Sequence, residues 1–210
     1  MTGSDDRKHG APTSALAALL KRAEELGGGA APVDRWDPPD CGPIPMEIQA
    51  DGSWHYNGSK IDRERLVRLF ASILRREGDG SYVLVTPVEK VTIAVADVPF
   101  LAVEIAVEGE GETRVITART NVGDVIAIGP DHPLRFETEV GTEGLKPYVR
   151  VRGGLDARLT RAAAMELVDL ARVETVDGVE RFGIWSAGAH FVFDPLKDFA
   201  ADNDPATTAP

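Results

Sequence analysis

Two clusters of basic side chains stand out in a chain that is acidic overall. Lys and Arg number 23 against 34 Asp and Glu, a net charge of −11 at pH 7. The clusters fall near the predicted starts of two helices, and their members are Lys60, Arg63, Arg65 and Arg68, then Arg150, Arg152, Arg158 and Arg161. Guanidinium groups and the N–H groups of a helix start both bind phosphate or carboxylate. They indicate bound anions, unless the cations only cover solvated faces whose countercharge comes from Asp62, Glu64 and Asp156.

The sequence contains no motif with an explicit catalytic or nucleotide-binding mechanism. Neither a P-loop nor a dinucleotide-binding glycine motif is present, and the run GIWSAG at 183–188 has the wrong spacing for a nucleophile elbow. The single Cys41 and four scattered histidines lack the ligand spacing of a metal site. We therefore predict no cofactor and no metal, and we interpret Ser186 as a turn residue.

Among the histidines, His132 has the surroundings of a site residue. It lies in a loop with two prolines, whose fixed φ angles favour a defined direction for the imidazole. An acid–base role would use the carboxylate of Asp131 or Asp124, and the plainer interpretation is turn formation and packing. His55 and His190 lie in predicted strands, where a sheet position is the expected role.

Short strands and two helices must position these side chains. From residue 46 the polarity alternates on both sides of an Asp-Gly dipeptide at 51–52, which is typical of a hairpin turn. Apolar residues then recur at helical spacing from Leu66 to Leu74, which predicts a helix that Asp62 caps and Gly78 ends. The following runs predict further short strands, and hence an α+β fold.

The same order of elements occurs twice along the chain. Each half has a strand, a glycine, an apolar residue before aspartate, a helix, an Asp-Gly turn and two more strands. In the second half the helix is predicted to open at Leu155 and Asp156 and to carry Leu159 on its apolar stripe. We therefore predict an internally duplicated two-lobe α+β fold, in which each lobe has an antiparallel sheet and one main helix.

The duplicated core is expected to lie between two less regular ends. We assign 1–45 to an amphipathic helix, centred on 13–26, and a Gly/Pro-rich linker, 46–98 and 99–195 to the two repeats, and 196–210 to a disordered tail. The apolar stripe of the N-terminal helix would pack on its own body, on a second copy of the chain or on a protein partner.

The composition bounds the compartment and the partners. Hydrophobic residues make up 43% and charged residues 27%, which is typical of a soluble globular protein. The negative charge disfavours nucleic-acid polymers and anionic membranes. The first ten residues lack the apolar run of a signal peptide, and Cys41 has no partner for an internal disulfide. We therefore expect a cytoplasmic protein.

Several runs of the sequence carry a resemblance to a known family. They are 61–90, with LVTPVEK at 84–90 as the most specific part, TNVGD at 120–124, GPDHPLR at 129–135, PYVRVRG at 147–153 and WSAG at 185–188. Over residues 41–195 the chain resembles the bacterial proteins of domain of unknown function 1285. The resemblance implies a duplicated α+β core, a C-terminal lobe loosely like a pleckstrin-homology fold and a ligand pocket where the two domains meet. It also implies a nucleotide-like ligand and a role in signal transduction.

The preferred hypothesis is a non-catalytic sensor or adaptor that binds a small anionic or nucleotide-like ligand between the two repeats. Cations would bind phosphate or carboxylate, aromatic rings would stack on a base, and an amide would recognise a polar edge. The side chains expected to line the site are Lys90, Arg119, Asn121, His132, Arg135, Tyr148, Arg150, Arg152 and Trp185.

Two other functions remain open on the sequence alone. A protein-interaction module would act through sheet edges and the N-terminal helix. A hydrolase or transferase would need His132 within hydrogen-bond distance of a carboxylate.

Overall fold

The structure, a computed structural model, describes residues 31–138, 144–176 and 178–193. The helix predicted at 13–26 and the tail predicted at 196–210 lie outside the described residues. The chain divides into two compact units, Met1–Asp97 and Val98–Pro210, which we call the N-terminal and C-terminal units.

The N-terminal unit is a six-stranded sheet with one helix. Its elements are β1 (Asp40–Ile48), β2 (Trp54–Tyr56), β3 (Ser59–Lys60), α1 (Glu64–Ser72), β4 (Leu74–Arg76), β5 (Tyr82–Val85) and β6 (Lys90–Val95). The strand order is β3-β2-β1-β6-β5-β4, and the central pair β1–β6 is parallel while the other pairs are antiparallel.

The C-terminal unit has a second six-stranded sheet, one helix and a small third sheet. Its elements are β7 (Phe100–Glu108), β8 (Val115–Thr120), β9 (Val125–Ile128), β10 (Leu134–Thr138), β11 (Leu145–Arg152), β12 (Leu155–Leu159), α2 (Arg161–Asp169), β13 (Arg172–Val176), β14 (Val179–Ser186) and β15 (Ala189–Val192). The large sheet has the order β10-β11-β12-β7-β8-β9, and the small one β13-β14-β15.

The predicted two-lobe α+β duplication is confirmed and is visible in the strand order, but each large sheet contains one parallel pair, so the prediction of purely antiparallel sheets is wrong. When the strands of each large sheet are numbered one to six along the chain, both sheets have the order 3-2-1-6-5-4. The parallel pair joins the first and sixth strands in both, β1 with β6 and β7 with β12. Parallel neighbours need a long connection, which the four strands between them supply. The helix follows the third strand in the N-terminal unit and the sixth in the C-terminal unit.

The first predicted helix is shorter than its apolar spacing indicated. It ends at Ser72, and Leu74 already pairs with Leu84 in the sheet. The N-cap residue is Arg63, without a side-chain cap bond, so the prediction that Asp62 caps the helix is wrong. Ile73 and Leu74 are both buried. Since two adjacent apolar residues fit either the end of a helical stripe or the start of a buried strand, the local pattern does not distinguish the two elements.

The start of the second helix was also placed too early. Residues 155–159 form β12, which pairs with β11 on one side and β7 on the other. The helix begins at Arg161, and Thr160 caps it by accepting a hydrogen bond from the Ala163 amide. Leu155 and Leu159 fit the spacing of either element, and the two-sided pairing makes the segment a strand. The cluster of cations predicted at this helix start is therefore mostly on strands.

Part of the predicted linker belongs to the sheet. Strand β1 begins at Asp40, although Pro43 and Pro45 are unfavourable in a strand. The register with β6 shifts between Asp40 and Pro43 and again between Pro43 and Glu47. These irregularities accommodate residues that have no N–H group to donate.

The small sheet of the C-terminal unit is joined to the large one by aromatic packing and by Ser186. The ring of Phe193 lies 4.4 Å from Phe136 and 5.3 Å from Phe182, centroid to centroid. The buried hydroxyl of Ser186 donates to the Ile128 carbonyl at 2.7 Å and accepts from the Ile116 amide at 2.9 Å. Ser186, predicted to be a turn residue, is the last residue of β14 and precedes the turn. Its hydroxyl links the small sheet to the large one.

Replacing this serine should destabilise the C-terminal unit. Ser186→Ala leaves a buried amide and a buried carbonyl without their partner, and we expect a loss of about 2 kcal/mol in the free energy of unfolding. Denaturant unfolding measures the change, with Ser53→Ala as the control because Ser53 bonds to an exposed aspartate in a turn. An equal effect of both variants would contradict the linking role.

Candidate functional site

A buried carboxylate on β12 of the C-terminal unit lies between two arginines, one from β10 and one from β11. Asp156 is 5% exposed, and it accepts from Arg150 Nε at 2.5 Å and from Arg135 Nε at 3.1 Å. The Arg135 guanidinium carbon lies 3.9 Å from the centre of the Tyr148 ring, a cation–π distance. We call these four residues the Asp156 cluster.

Strand register explains how the cluster forms from distant parts of the sequence. Arg135 lies opposite Tyr148 across the β10–β11 pair, and Arg150 lies opposite Asp156 across β11–β12. Directly opposite residues of antiparallel strands share a face, as do residues two apart on one strand. Three of the predicted site residues therefore share one face of the sheet.

The charges of the cluster are balanced. Arg135 forms a second ion pair with Glu137, so two arginines face two carboxylates. Burial by itself would lower the pKa of Arg135, but the hydrogen bonds and charges of Asp156 and Glu137 outweigh it and raise the pKa above its ordinary value. Together with Glu137 the Asp156 cluster has no net charge, which favours a structural role over anion capture.

His132 is connected to the same region, but through the backbone. Its Nδ1 lies 3.0 Å from the carbonyl oxygen of Arg150, and the Gly129 amide donates to the His132 carbonyl at 3.2 Å in a tight turn. In the described parts of the chain, the partner of this imidazole nitrogen is therefore a carbonyl, which accepts its hydrogen bond, and not a carboxylate. That geometry is typical of a histidine that fastens a loop.

Arg152 has partners different from those of Arg150. Its Nη1 donates to Asp124 Oδ2 at 2.7 Å, and its guanidinium carbon lies 5.1 Å from the centre of the Phe100 ring. A register irregularity between Arg150 and Arg152 interrupts their regular two-residue spacing on β11. The two arginines therefore contribute to separate contacts.

Two predicted residues on the other half of the large sheet also have structural contacts. Arg119 pairs with Glu104 at 2.6 Å, with both side chains about half exposed. The Asn121 side-chain oxygen accepts from the Leu101 amide at 3.0 Å, which ties the β8–β9 turn to β7. The contact of Asn121 gives this residue of the TNVGD run a structural role.

The last two predicted residues lie elsewhere. Trp185 is in the small sheet, where its indole donates to Glu174 at 2.5 Å and its ring lies 4.9 Å from that of His190. Lys90 is in the N-terminal unit, 3.8 Å from the carboxylate of Glu77. Within the C-terminal unit, then, the structure brings together His132, Arg135, Tyr148 and Arg150, and separates Arg119, Asn121 and Trp185 from them.

A groove of about 860 Å³ lies between α2 and the strands β11 and β12. The charged side chains among its lining are Lys146, Arg158, Arg161 and Asp169, three cations and one carboxylate. Arg158 lies opposite Tyr148 on the neighbouring strand, so the groove borders the Asp156 cluster. We call this recess the α2 groove.

Apolar side chains also line the α2 groove, and they come from both the sheet and the helix. Leu101 and Leu145 come from the sheet, and Met165 and Val168 come from α2. Met165 is 60% exposed and Val168 is 38% exposed, whereas Ala163 and Leu167 on the same helix are fully buried. The helix therefore has one apolar face in the core and another facing the groove.

Some cations of the groove could be predicted from the sequence, but the groove itself could not. Arg158 and Arg161 belong to the second basic cluster, which was assigned to a helix start. Only the correct boundary between β12 and α2 separates a strand arginine from a helix arginine. Met165 and Val168 follow the helical spacing of ordinary core residues, so no sequence signal marks them as exposed.

Metal and membrane sites receive no support from the described residues. Within 31–138, 144–176 and 178–193, no three His, Cys, Asp or Glu side chains are grouped as metal ligands. None of the helices described there is both long enough and apolar enough to cross a membrane.

The fold and these residues define a class of α+β proteins in which one six-stranded sheet order occurs twice. The N-terminal domain of DUF1285, a domain of unknown function, matches residues 31–98, and the C-terminal domain of DUF1285, a protein of unknown function, matches 99–193. The chain belongs to the DUF1285 family.

Solved structures of the family resemble the chain. A DUF1285 family protein from Silicibacter pomeroyi DSS-3 is 43% identical, with a TM-score of 0.78, over 87% of this chain and 97% of that one. Another from Shewanella baltica OS155 is 28% identical, with a TM-score of 0.48, over 60% of this chain and 91% of that one. No curated protein matches the sequence.

Proposed function

We propose that the chain is a non-catalytic sensor or adaptor that binds a small organic anion in the α2 groove of its C-terminal unit. The observation that carries this proposal is the charged lining of the groove, in which Arg161 stands in the first turn of α2 together with the cations Lys146 and Arg158 and the carboxylate of Asp169. A volume near 860 Å³ falls within the range of about 300–1,000 Å³ that small-molecule sites occupy.

The contrast with the rest of the molecule supports a specific role for this charge. The whole chain carries −11, so its general field repels anions, and a local cationic recess is needed to attract one. The Asp156 cluster is less suited to that role, because Asp156 and Glu137 form ion pairs with its arginines. The predicted residues Arg135 and Arg150 are therefore proposed to support the neighbouring strand face, and the groove cations to contact the ligand.

The elements that hold the cations suit them to binding. Lys146 and Arg158 project from hydrogen-bonded strands, and Arg161 lies in the first turn of α2, where the helix dipole favours a negative group. Side chains on rigid elements lose less conformational freedom on binding than side chains on loops. An anion near Arg161 would meet both the side chain and the dipole.

An acid–base enzyme receives less support from the same geometry. The proposal of a hydrolase or transferase requires a carboxylate beside His132 to orient its imidazole. Its Nδ1 instead lies 3.0 Å from the Arg150 carbonyl oxygen. We therefore favour binding over turnover.

Arg161→Gln should weaken anion binding about tenfold, because one charge-assisted hydrogen bond is lost. The measurement is isothermal titration, after a thermal-shift screen of nucleotides, cyclic nucleotides and small carboxylates, in which a ligand at 100 times its Kd adds about 2.7 kcal/mol of stability. Arg65→Gln is the matched control, an exposed arginine near the start of the nine-residue helix α1.

Two outcomes would overturn the proposal. Either no anion in the panel shifts the melting temperature, or Arg65→Gln weakens binding as much as Arg161→Gln. The second result would mean that the anion responds to overall charge rather than to the groove.

A further inference from the structure

We propose that the anion bound in the α2 groove carries an alkyl chain, and that its class is the straight-chain carboxylates of the fatty acid type. This inference rests on the proposed function and narrows its ligand. It follows from the apolar half of the groove, which charge alone does not explain.

The second apolar face of α2 is the first observation. A surface helix normally has one apolar stripe toward the core and polar residues elsewhere. In α2 the core stripe is Ala163 and Leu167, yet Met165 and Val168, three residues apart and thus neighbours on the helix surface, are also apolar and exposed. Leu101 and Leu145 of the sheet also line the groove.

The charges lie where an amphipathic anion would orient itself. Arg161 begins α2 and Asp169 ends it, and the rise from Arg161 to Val168 is about 10 Å at 1.5 Å per residue. A carboxylate would be attracted to the Arg161 end and repelled from the Asp169 end. Its alkyl chain would then run along Met165 and Val168, which gives the ligand one direction in the groove.

The apolar side chains suit an alkyl chain better than a nucleobase. Bases are usually held by stacking on aromatic rings or guanidinium planes together with hydrogen bonds to their edges. Among the described residues, the lining of the groove includes no aromatic side chain. Leu, Val and the flexible Met instead offer an adaptable surface to a chain of methylene groups.

A series of saturated straight-chain carboxylates, from about six to twelve carbons and below their micelle concentrations, tests the inference on the full chain. Burial of a methylene group is worth about 0.8 kcal/mol, so Kd should fall roughly fourfold for each added CH₂ while the tail stays in the groove. Isothermal titration of each acid gives the dependence on length. A Kd that does not change with length overturns the inference.

Two variants locate the tail and the head of the ligand. Met165→Ser should reduce the dependence on chain length while leaving the affinity of the shortest acid nearly unchanged. Arg161→Gln should weaken all the acids by a similar factor and preserve the dependence. Val173→Ser is the matched control, since Val173 is 61% exposed on β13 and does not line the groove.

The results separate this inference from the proposed function. If nucleotides or short carboxylates bind, lose affinity in Arg161→Gln and show no effect of chain length, the proposed function stands and the alkyl chain is refuted. If no anion binds, both fail. If Val173→Ser reduces the length dependence as much as Met165→Ser, the tails bind the surface non-specifically, and the inference is also overturned. The inference is likewise overturned if an acidic amphipathic peptide binds the chain and none of the fatty acids does.

Discussion

The Asp156→Ala variant is expected to lose about 2–3 kcal/mol in the free energy of unfolding. The substitution leaves Arg135 and Arg150 without the carboxylate that both contact, and breaking a buried charge pair commonly costs about 3–5 kcal/mol. Here the arginine side chains are 40% and 39% exposed, so water solvates them partly after the change and the loss is smaller. Urea unfolding, followed in the far-ultraviolet circular dichroism, measures it.

Glu104→Ala is the matched control for this prediction. Glu104 also pairs with an arginine, Arg119, but both side chains are about half exposed, so its removal should cost less than about 1 kcal/mol. If the two variants lose the same stability, burial does not determine the contribution of Asp156. The structural role of the Asp156 cluster would then be wrong, and its arginines would again be candidates for ligand binding.

The Trp54→Ala variant should have the largest effect in the N-terminal unit, a loss of about 3–5 kcal/mol. Trp54 is 1% exposed, and its ring stacks on Phe70 with the centroids 6.1 Å apart. The substitution leaves a large cavity between the sheet and α1. Calorimetry is the suitable measurement, because the chain has two compact units and the transitions can be resolved separately.

Trp54→Phe distinguishes the contribution of packing from that of polarity. The indole Nε1 is buried, and none of the described residues accepts its hydrogen bond. A phenyl ring keeps the stacking with Phe70 and removes an unsatisfied donor, so we expect a loss of at most about 1 kcal/mol. Equal losses in Trp54→Phe and Trp54→Ala would contradict this account of the core. Val88→Ala, at an exposed position, should change stability by less than about 0.5 kcal/mol.

Local sequence pattern is sufficient to predict some strands and helices of this protein but not others. The hairpin around 51–52 is correct, since its Asp-Gly turn and alternating polarity both follow from short-range chemistry. The errors at Leu74 and at Leu155 occur where one set of buried apolar residues fits two periodicities, and pairing with distant strands selects between them.

The candidate site shows the same division. Arg150, Arg135 and Tyr148 were selected for their residue types, and two-residue spacing along β11 does place Tyr148 and Arg150 on one face. Their balance of charge could not be predicted, because Asp156 reaches both arginines only through strand pairing, although Glu137 lies just two residues from Arg135 on β10. The exposed apolar face of α2 could not be predicted either, since the sequence does not indicate which apolar residues of a helix the core leaves exposed.

From the sequence alone we correctly predict the α+β class, the presence of a duplication, the acidic charge and the DUF1285 family. These depend on composition, on local periodicity and on runs of residues, which act over short distances along the chain. The tertiary structure decided which arginines are neutralised, where α2 begins and which cations surround a groove. Those properties depend on strands that are far apart in sequence and adjacent in space, because long-range pairing brings Asp156 to its two arginines and determines which face of a helix stays uncovered.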